Sequence, residues 1–412
     1  MDYLWPCHYF WLHYWFQHAL LDFKCTRFRP LSLQVPKPLF PIAGVPLIEH
    51  HISQLCQLKD LNEIFLMGFY PAEQFAEFIE ESRRRYNVKI GYIEESASLG
   101  TAGGLVLFKD ELLKDDPKAL FILNADVCGD LPVSEMVKDL DEKPEAKCLI
   151  LTTEATRDQS INFGSVVIDQ HGKVLHYVDK PTTFVSTHIS CGIYLIRASM
   201  LQELEKAKNG STQLWFETDI FPNLASTSAF YAFHTTRWWS QTKTAAAALY
   251  ANRHYLRLYR ESCPERLHHS GAEIVGDVYV DPTAEIDPSS KIGPNVSIGA
   301  KAKIGAGVRI RESIILPECV LEEHSIVLHS IIGWRSIVGK WARVEGTPIA
   351  PNPNIPFAKL DNKPLFNTDG RLNPSLTILG SDVHVPHEQV ILNSVVLPYK
   401  DLSASYKNQI IL

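Results

Sequence analysis

Four short stretches carry residue types suited to a phosphate ester and a divalent cation. Asn124-Ala125-Asp126 closes an apolar run, KALFILNADV (118–127). An aspartate at that point can hold a magnesium ion that bridges phosphates. Gly100-Thr101-Ala102-Gly103-Gly104 offers backbone donors and close approach where a helix starts, a place for a base or a phosphate. Lys37 stands between Pro36 and Pro38, which fix the backbone and aim the side chain. With Arg27 and Arg29 it makes CTRFRPLSLQVPKPLF (25–40) a basic surface for a phosphate-bearing ligand. Asp179-Lys180-Pro181 is a second charged pair beside a proline. Each has a plainer reading on its own: Asp126 as a turn aspartate, GTAGG as a glycine turn. Their order and spacing together strengthen the reading of a phosphate-bearing ligand.

These residues need a scaffold, and residues 36–235 alternate short aliphatic runs with amphipathic helices. LNEIFLMGFY (61–70) reads as a buried strand and PAEQFAEFIEESRRRY (71–86) as a helix with Phe75, Phe78 and Ile79 on one face. VKIGYIEE (88–95) is the next strand, GTAGGLVLFKDELL (100–113) a turn running into a helix, and 118–127 a further strand. Apolar strands separated by helices predict a mostly parallel sheet covered on both faces. Ligands in such sheets bind outside the carboxyl ends of the strands, where the polar turns at 94–104 and 124–130 fall.

A different pattern begins near residue 274. Steps of six from Ile274 reach Val280, Ile286, Ile292, Ile298, Ile304, Ile310 and Leu316. Steps of six from Val278 reach Ala284, Ser290, Val296, Ala302, Val308, Ile314, Val320, Ile326, Ile332, Val338 and Val344, and Gly293, Gly299 and Gly305 repeat in phase. A hexapeptide period predicts a parallel β-helix whose inward aliphatics form one column. Residues 346–376 interrupt it with Pro348, Pro351, Pro353, Pro356, Pro364 and Pro374, and predict a loop projecting from the coils. VILNSVVLP (390–398) resumes the rungs. The chain thus divides into an atypical aromatic-rich N-terminus (1–24), an α/β domain (25–250), a linker (251–273) and a β-helix domain (274–412).

Composition narrows the function. The 412 residues carry a formal charge of −7, which disfavours a general nucleic-acid binder, and 45% hydrophobic residues, enough for sizeable cores. Eight scattered cysteines without a CxxC pair suggest neither a disulfide framework nor a zinc site, and fit a reducing, cytoplasmic setting. The first 23 residues hold Trp5, Trp11 and Trp15, but His8, His13 and Gln17 interrupt the run, so no membrane span is expected. His8, His13 and His18 are spaced by five, off one helical face, and are read as incidental.

Taken together, TRFRPLSLQVPKPLFPIAG, GTAGG, NAD, DKP and the hexapeptide tail resemble the sugar-nucleotide pyrophosphorylase family, from about Cys25 to Leu412. Within that family, the loop at 346–376 and the ending ILNSVVLPYKDLSASYKNQIIL look like the regulatory type found among the GDP-mannose enzymes. The resemblance implies an α/β nucleotidyltransferase domain, Rossmann-like, followed by a left-handed parallel β-helix. In catalytic members a sugar 1-phosphate oxygen attacks the alpha phosphate of GTP and pyrophosphate leaves, with magnesium assisting. By resemblance, Arg27 steadies the triphosphate and Lys37 is the phosphate lysine. Gly100, Thr101, Ala102 and Gly103 receive the base, and Asp126 is the first magnesium aspartate. Asp179 and Lys180 face the sugar phosphate. Ser190, in Ser-Cys-Gly, replaces the sugar-contacting asparagine.

The departures from the pattern decide between activities. Catalytic members carry W-x-D-x-G with the second magnesium aspartate; here WSQTK (239–243) puts Gln241 there, and a neutral amide does not replace a carboxylate. Of the loop L-x-G-G-x-G-T-R only Thr26 and Arg27 remain, so the phosphate cradle lacks its glycines. The family's first strand is replaced by DYLWPCHYFWLHYWF, and a central strand of the sheet is expected to be missing. The resemblance implies a regulatory subunit with GDP-mannose as its ligand, weak Mg2+ binding at most, and a hetero-oligomer with a catalytic beta subunit. An active guanylyltransferase is the second reading. A hexapeptide acyltransferase is the third, and leaves the α/β domain without a purpose.

Overall fold

The computed structural model describes residues 12–17 and 28–412, apart from 98, 209, 362, 363, 369 and 371. Arg27, Thr26 and the three N-terminal histidines His8, His13 and His18 lie outside the described side chains. Two compact units emerge. The first comprises the strand at 12–17, Ile48–Trp239 and Pro353–Lys359; the second comprises 28–47, Ser240–Asn352 and Leu360–Leu412.

In the first unit, nine strands form one sheet: β1 (Leu12–Gln17), β2 (Leu61–Gly68), β3 (Lys89–Glu94), β4 (Ala119–Asn124), β5 (Cys148–Glu154), β6 (Ser165–Ile168), β7 (Val174–Val178), β8 (His188–Arg197) and β9 (Phe230–His234). The order is β7-β6-β8-β4-β1-β2-β3, with β5 pairing both β8 and β9. Strands β4, β1, β2 and β3 are parallel, as are β5 and β9, while β8 runs antiparallel to β4 and β5.

One expectation is corrected here. The central strand is not missing, because LHYWFQ supplies it. It pairs with β2 from Leu12↔Leu61 to Gln17↔Met67 and with β4 from Leu12↔Ala119 to Gln17↔Asn124. Aromatic residues suit a strand as well as aliphatic ones do. The position between two parallel strands selects for extended backbone more than for any one side-chain type.

Helices α1 (Leu47–Leu55), α2 (Glu73–Tyr86), α3 (Gly100–Leu107), α4 (Val133–Asp141) and α5 (Met200–Lys208) follow the strands. The main core joins Phe65, Ile122, Ile150 and Tyr194 to Leu105 of α3, Leu201 of α5 and the aromatic rings of Phe216, Phe221 and Phe230. Phe221 is the hub of the aromatic group, 4.8 Å from Tyr194, 5.1 Å from Tyr177, 5.2 Å from Phe216 and 5.0 Å from Phe230. Burying each such ring stabilises by roughly 1.5–3 kcal/mol.

The second unit holds the region expected to link the two domains. The first half of the expected linker, residues 251–262, is helical: α6 (Ala245–Ser262) is capped by Thr244, whose hydroxyl accepts from Ala247 N–H at 3.2 Å. Its Asn252 is fully buried and accepts from Ala43 N–H at 2.8 Å and from the Ser297 hydroxyl at 2.9 Å. That one amide ties Ala43, in the 28–47 segment, and Ser297, in the coils, to the same helix within the second unit.

The coils stack as three sets of parallel strands. One column runs Ile274, Ile292, Ile310, Val327, Val344, Ile391, and another Ile286, Ile304, Leu321, Val338, Val385. The first coils advance by 18 residues and the next by 17. A coil one residue short breaks the strict six-residue count at Ile310, where the inward residue becomes Ile315 instead of Leu316. Leu321 and Val327 then face the core, while Val320 and Ile326 of the expected series are only half-buried. Since a strand alternates with period two, a slip of one residue exchanges the faces; the next short step restores the count at Ile332. Corners recur in the same rhythm, with left-handed backbone at Asn295, Glu312 and His329, at Lys301, Glu318 and Arg335, and at His324 and Trp341.

Among the described residues no helix is long and apolar enough to cross a membrane. The inward register is testable. Leu321→Ala should lower stability by about 2–4 kcal/mol and Val320→Ala by less than about 1 kcal/mol, read as shifts in the urea midpoint of the β-sheet circular dichroism signal. The opposite order would return the column to the unbroken six-residue count.

Candidate functional site

The carboxyl edge of the first unit's sheet gathers most of the predicted residues. Asp126 follows the end of β4 and is half-buried. The chain around it is held by α1. His51 lies fully buried and donates from Nε2 to the Val127 carbonyl at 2.7 Å; burial lowers its pKa to about 4, so the ring is neutral near pH 7. Gln54 donates to the Gly129 carbonyl at 2.9 Å and accepts from Leu131 N–H at 2.6 Å. The aspartate therefore precedes a fixed stretch of backbone at the strand-end edge where ligands enter open α/β sheets.

GTAGG is helical from its first residue, and Gly100 through Gly104 are all buried. The conformation explains the glycines. Gly100 has φ +84°, and a Cβ there would lie 2.3 Å from the Leu214 carbonyl oxygen. Two of the backbone donors are already engaged: Ala102 N–H and Gly103 N–H both donate to Leu214 O, at 2.9 and 3.2 Å. Gly104 packs on Glu95, whose carboxyl oxygen would be 2.3 Å from an added Cβ.

Thr101 leads to a residue that sequence reasoning missed. Its hydroxyl donates to Glu217 Oε2 at 2.6 Å and accepts from Phe216 N–H at 2.8 Å. Tyr194 donates to the other oxygen of Glu217 at 3.2 Å. Burial pushes the Glu217 carboxyl above its ordinary value, the Thr101 hydrogen bond acts in the opposite sense, and the charge of Asp179 adds to the rise. Tyr194 and Tyr177 both hydrogen-bond to the Ser190 hydroxyl, and burial keeps both phenols protonated. Ser190 in turn accepts from Gly192 N–H at 3.2 Å. The predicted base turn and the predicted sugar side are thus joined through Glu217. The available signal was an acidic residue inside the apolar run LWFETDIF.

Asp179 and Lys180 lie next to this chain. Lys180 has φ +40°, is exposed, and donates to Asp179 Oδ2 at 3.3 Å, while Asp179 is half-buried and biases both Glu217 and Tyr177. Gly192 closes the group from beneath, since a Cβ there would meet Asn124 Nδ2 at 2.5 Å.

The predicted projecting loop also reaches this unit. Lys359 exchanges two hydrogen bonds with the side chain of Gln159, at 2.6 and 2.8 Å. Its ammonium stands 5.6 Å from the centre of the Trp239 ring, a cation–π contact. Trp239 is itself fixed by a 3.0 Å hydrogen bond from Nε1 to the Cys191 carbonyl. Burial pulls the Lys359 pKa below the ordinary lysine value.

Two predicted residues fall in the second unit. Lys37 is buried, opens a short turn at Lys37–Leu39, and lies 5.8 Å from the Phe28 ring. Gln241 is half-buried at the end of the strand Trp239–Gln241, and its Oε1 has no hydrogen-bond partner.

Comparison with known proteins now bears on the site. A nucleotidyl transferase family model matches residues 24–257, and a GMPPB C-terminal domain model matches residues 274–411. The chain is 52% identical to the mannose-1-phosphate guanylyltransferase regulatory subunit alpha of Sus scrofa and 51% identical to that of Homo sapiens. It is 49% identical to the regulatory subunit alpha-A of Danio rerio. Each match covers 94% of this chain and 97% of the relative. This chain belongs to the family of mannose-1-phosphate guanylyltransferase regulatory alpha subunits.

Within that family framework, the site combines a nucleotidyl transferase scaffold with a sparse set of charges. Asp126, the carboxylate that the family pattern would use for the metal, follows the end of β4 in the first unit. A magnesium ion keeps several waters and needs only one or two carboxylates plus phosphate oxygens. Asp126 with a bound diphosphate would fit a weakly held ion of that kind. It would not fit a tightly held one, because Gln241 brings no charge.

Glu95 supplies the test of this local packing. Its carboxyl is buried under α3, and burial raises its pKa from 4.5 to about 7. Below pH 4.5 both folded and unfolded chains are protonated at this position. From 4.5 to 7 the unfolded chain ionises first, so stability falls, and above 7 the loss is constant. Glu95→Gln removes that loss. Relative to the parent it should gain on the order of 2 kcal/mol between pH 5 and pH 8, after allowance for solvent screening. Denaturant titrations at both pH values measure it, and a pH-independent difference would contradict the assignment.

Proposed function

We propose that this chain is a regulatory subunit of mannose-1-phosphate guanylyltransferase. In this reading it binds GDP-mannose at the carboxyl edge of the first unit and, within a cytoplasmic hetero-oligomer, restrains a catalytic beta subunit. The observation that carries the reading is near-full-length similarity to proteins named regulatory subunit alpha. The local chemistry agrees with it. Nucleotidyl transfer depends on positioning and on neutralising phosphate charge, and a site with Asp126 but Gln241 for its second carboxylate is short of the means to do the latter.

In this arrangement α3 receives the guanine against Gly100–Gly103, and Asp179, Lys180 and Ser190 face the mannosyl phosphate. By the family resemblance, Arg27 and Lys37 are the residues expected to carry positive charge for phosphate. The coils at 274–345 form the rigid face for assembly. Feedback follows from linkage: the product GDP-mannose is the ligand of one subunit, and the partner's active site is the second site to which it is coupled. A ligand shifts such an assembly only by its differential affinity for the two states.

Asp126 favours a second reading, an active guanylyltransferase, and one assay separates the two. Purified chain given GTP, mannose 1-phosphate and Mg2+ should form no GDP-mannose above background, yet should bind GDP-mannose in calorimetric titration. Thr101→Val, which strips one hydroxyl from the half-buried Glu217, should weaken that binding about tenfold, or about 1.4 kcal/mol. Sedimentation of a micromolar mixture with the beta subunit should show a complex. Robust turnover by the chain alone would establish the second reading, and free subunits in the mixture would remove the regulatory one.

A further inference from the structure

Three side chains of metal-ligating type meet at one corner of the nine-stranded sheet, on the same strand-end edge as the nucleotide-sugar residues but not among them. Glu154 ends β5, His188 begins β8 and His234 ends β9. Their placement follows from register. His188 pairs with Glu154 across β8 and β5, and His234 pairs with Thr152 across β9 and β5. Thr152 and Glu154 are two residues apart on one strand and so share a face. Three adjacent strands thus present the three side chains on the same side of the sheet.

The distances match a cation site before closure. One donor atom from each of the three lies within 4.8 Å of the others. His188 Nε2 is 4.0 Å from Glu154 Oε1, and the two imidazole rings are 5.1 Å apart between centres. Zinc bound to nitrogen at about 2.0–2.1 Å and to carboxylate oxygen at about 2.0–2.2 Å separates tetrahedral ligands by roughly 3.4 Å. Side-chain rotation covers the remaining ångström or so without moving the strands. The site is half-open, with His188 and Glu154 each 28% exposed and His234 exposed, so an ion can enter and a fourth, water-filled position is left.

We propose that Glu154, His188 and His234 form a binding site for a divalent transition-metal ion, zinc, with one coordination position open to solvent. Two imidazoles and one carboxylate suit zinc, cobalt or nickel; magnesium prefers an all-oxygen shell. The ring of His234 is held below the ordinary histidine pKa, first by burial and then by His188, which favours the neutral form that binds metal. Lys359 is the nearby cation that senses Glu154. Metal at Glu154 would withdraw that carboxylate from Lys359 and so weaken the charged form of the residue that anchors the loop.

The test uses the full chain and Zn2+ alone, with a chromogenic chelator as competitor and Mg2+ as control. Wild type is compared with His234→Ala, His188→Asn and Glu154→Gln, and with His384→Ala in the second unit as a control for adventitious histidines. The expected result is one zinc per chain whose affinity falls at least tenfold in each of the three site variants and is unchanged in His384→Ala. Zinc should raise the melting temperature of wild type and not that of His234→Ala. Because His234 is exposed, that variant folds and decides the matter even where another does not. Equal zinc affinity in wild type and His234→Ala, or no zinc binding by wild type, would overturn the proposal.

Discussion

A carboxyl group partly withdrawn from water is best held by hydroxyls, and the half-buried Glu217 is held by two that arrive from different parts of the chain. Thr101 comes from the start of α3 and Tyr194 from the middle of β8. Leaving such a group unsatisfied costs about 1–3 kcal/mol or more, so the helix and the strand cannot drift apart without exposing it. The rings of Phe216 and Phe221, stacked 5.2 Å apart in the core, belong to the same stretch of chain as Glu217. Ser190, Tyr177 and Gly192 continue the same chain of hydrogen bonds toward the sugar side. The geometry of the ligand edge is in this sense set from behind, by a group that need not touch the ligand.

The sheet supplies the other half of the positioning. Its parallel strands end on one edge, and Glu95, Asp126, Glu154 and His234 all stand at or just beyond such ends. The antiparallel β8 brings its own beginning, with His188 and Ser190, to the same edge. A single reversed strand therefore adds two polar side chains that an all-parallel sheet would have placed at the far side. Lys359 enters this edge from a segment distant in sequence, held by backbone hydrogen bonds to Gln159 and by the face of Trp239.

Much of this was legible in the residues, and the failures have physical causes. The strand at 61–68, the helix at 73–86 and the hexapeptide rungs followed from apolar periodicity alone. The central strand did not, because its aromatic run lacks the aliphatic pattern of its neighbours, although its backbone fills the same slot. The shortened coil after Ile310 was invisible because the count by six from Ile310 lands on Leu316, which is as aliphatic as the inward Ile315 beside it. The helix at 245–262, which starts at the Thr244 cap, crosses the expected end of the α/β domain at 250. In the site, glycines and charges stood out while Glu217 did not, since a half-buried carboxyl looks like any acidic residue until its partners are known.

The coils hold one further consequence. Val344 pairs with Ile391, and Glu345 with Leu392, as though the long loop between them did not exist. Each rung is satisfied by the rung above and below, so the ladder closes over the excursion and carries none of its strain. A segment stored outside the ladder in this way is under almost no selection from folding. It is free to lengthen, shorten or change its residues at the pace its contacts demand, while the stack that carries it stays the same. The architecture separates the part of the chain that must persist from the part that can be rewritten.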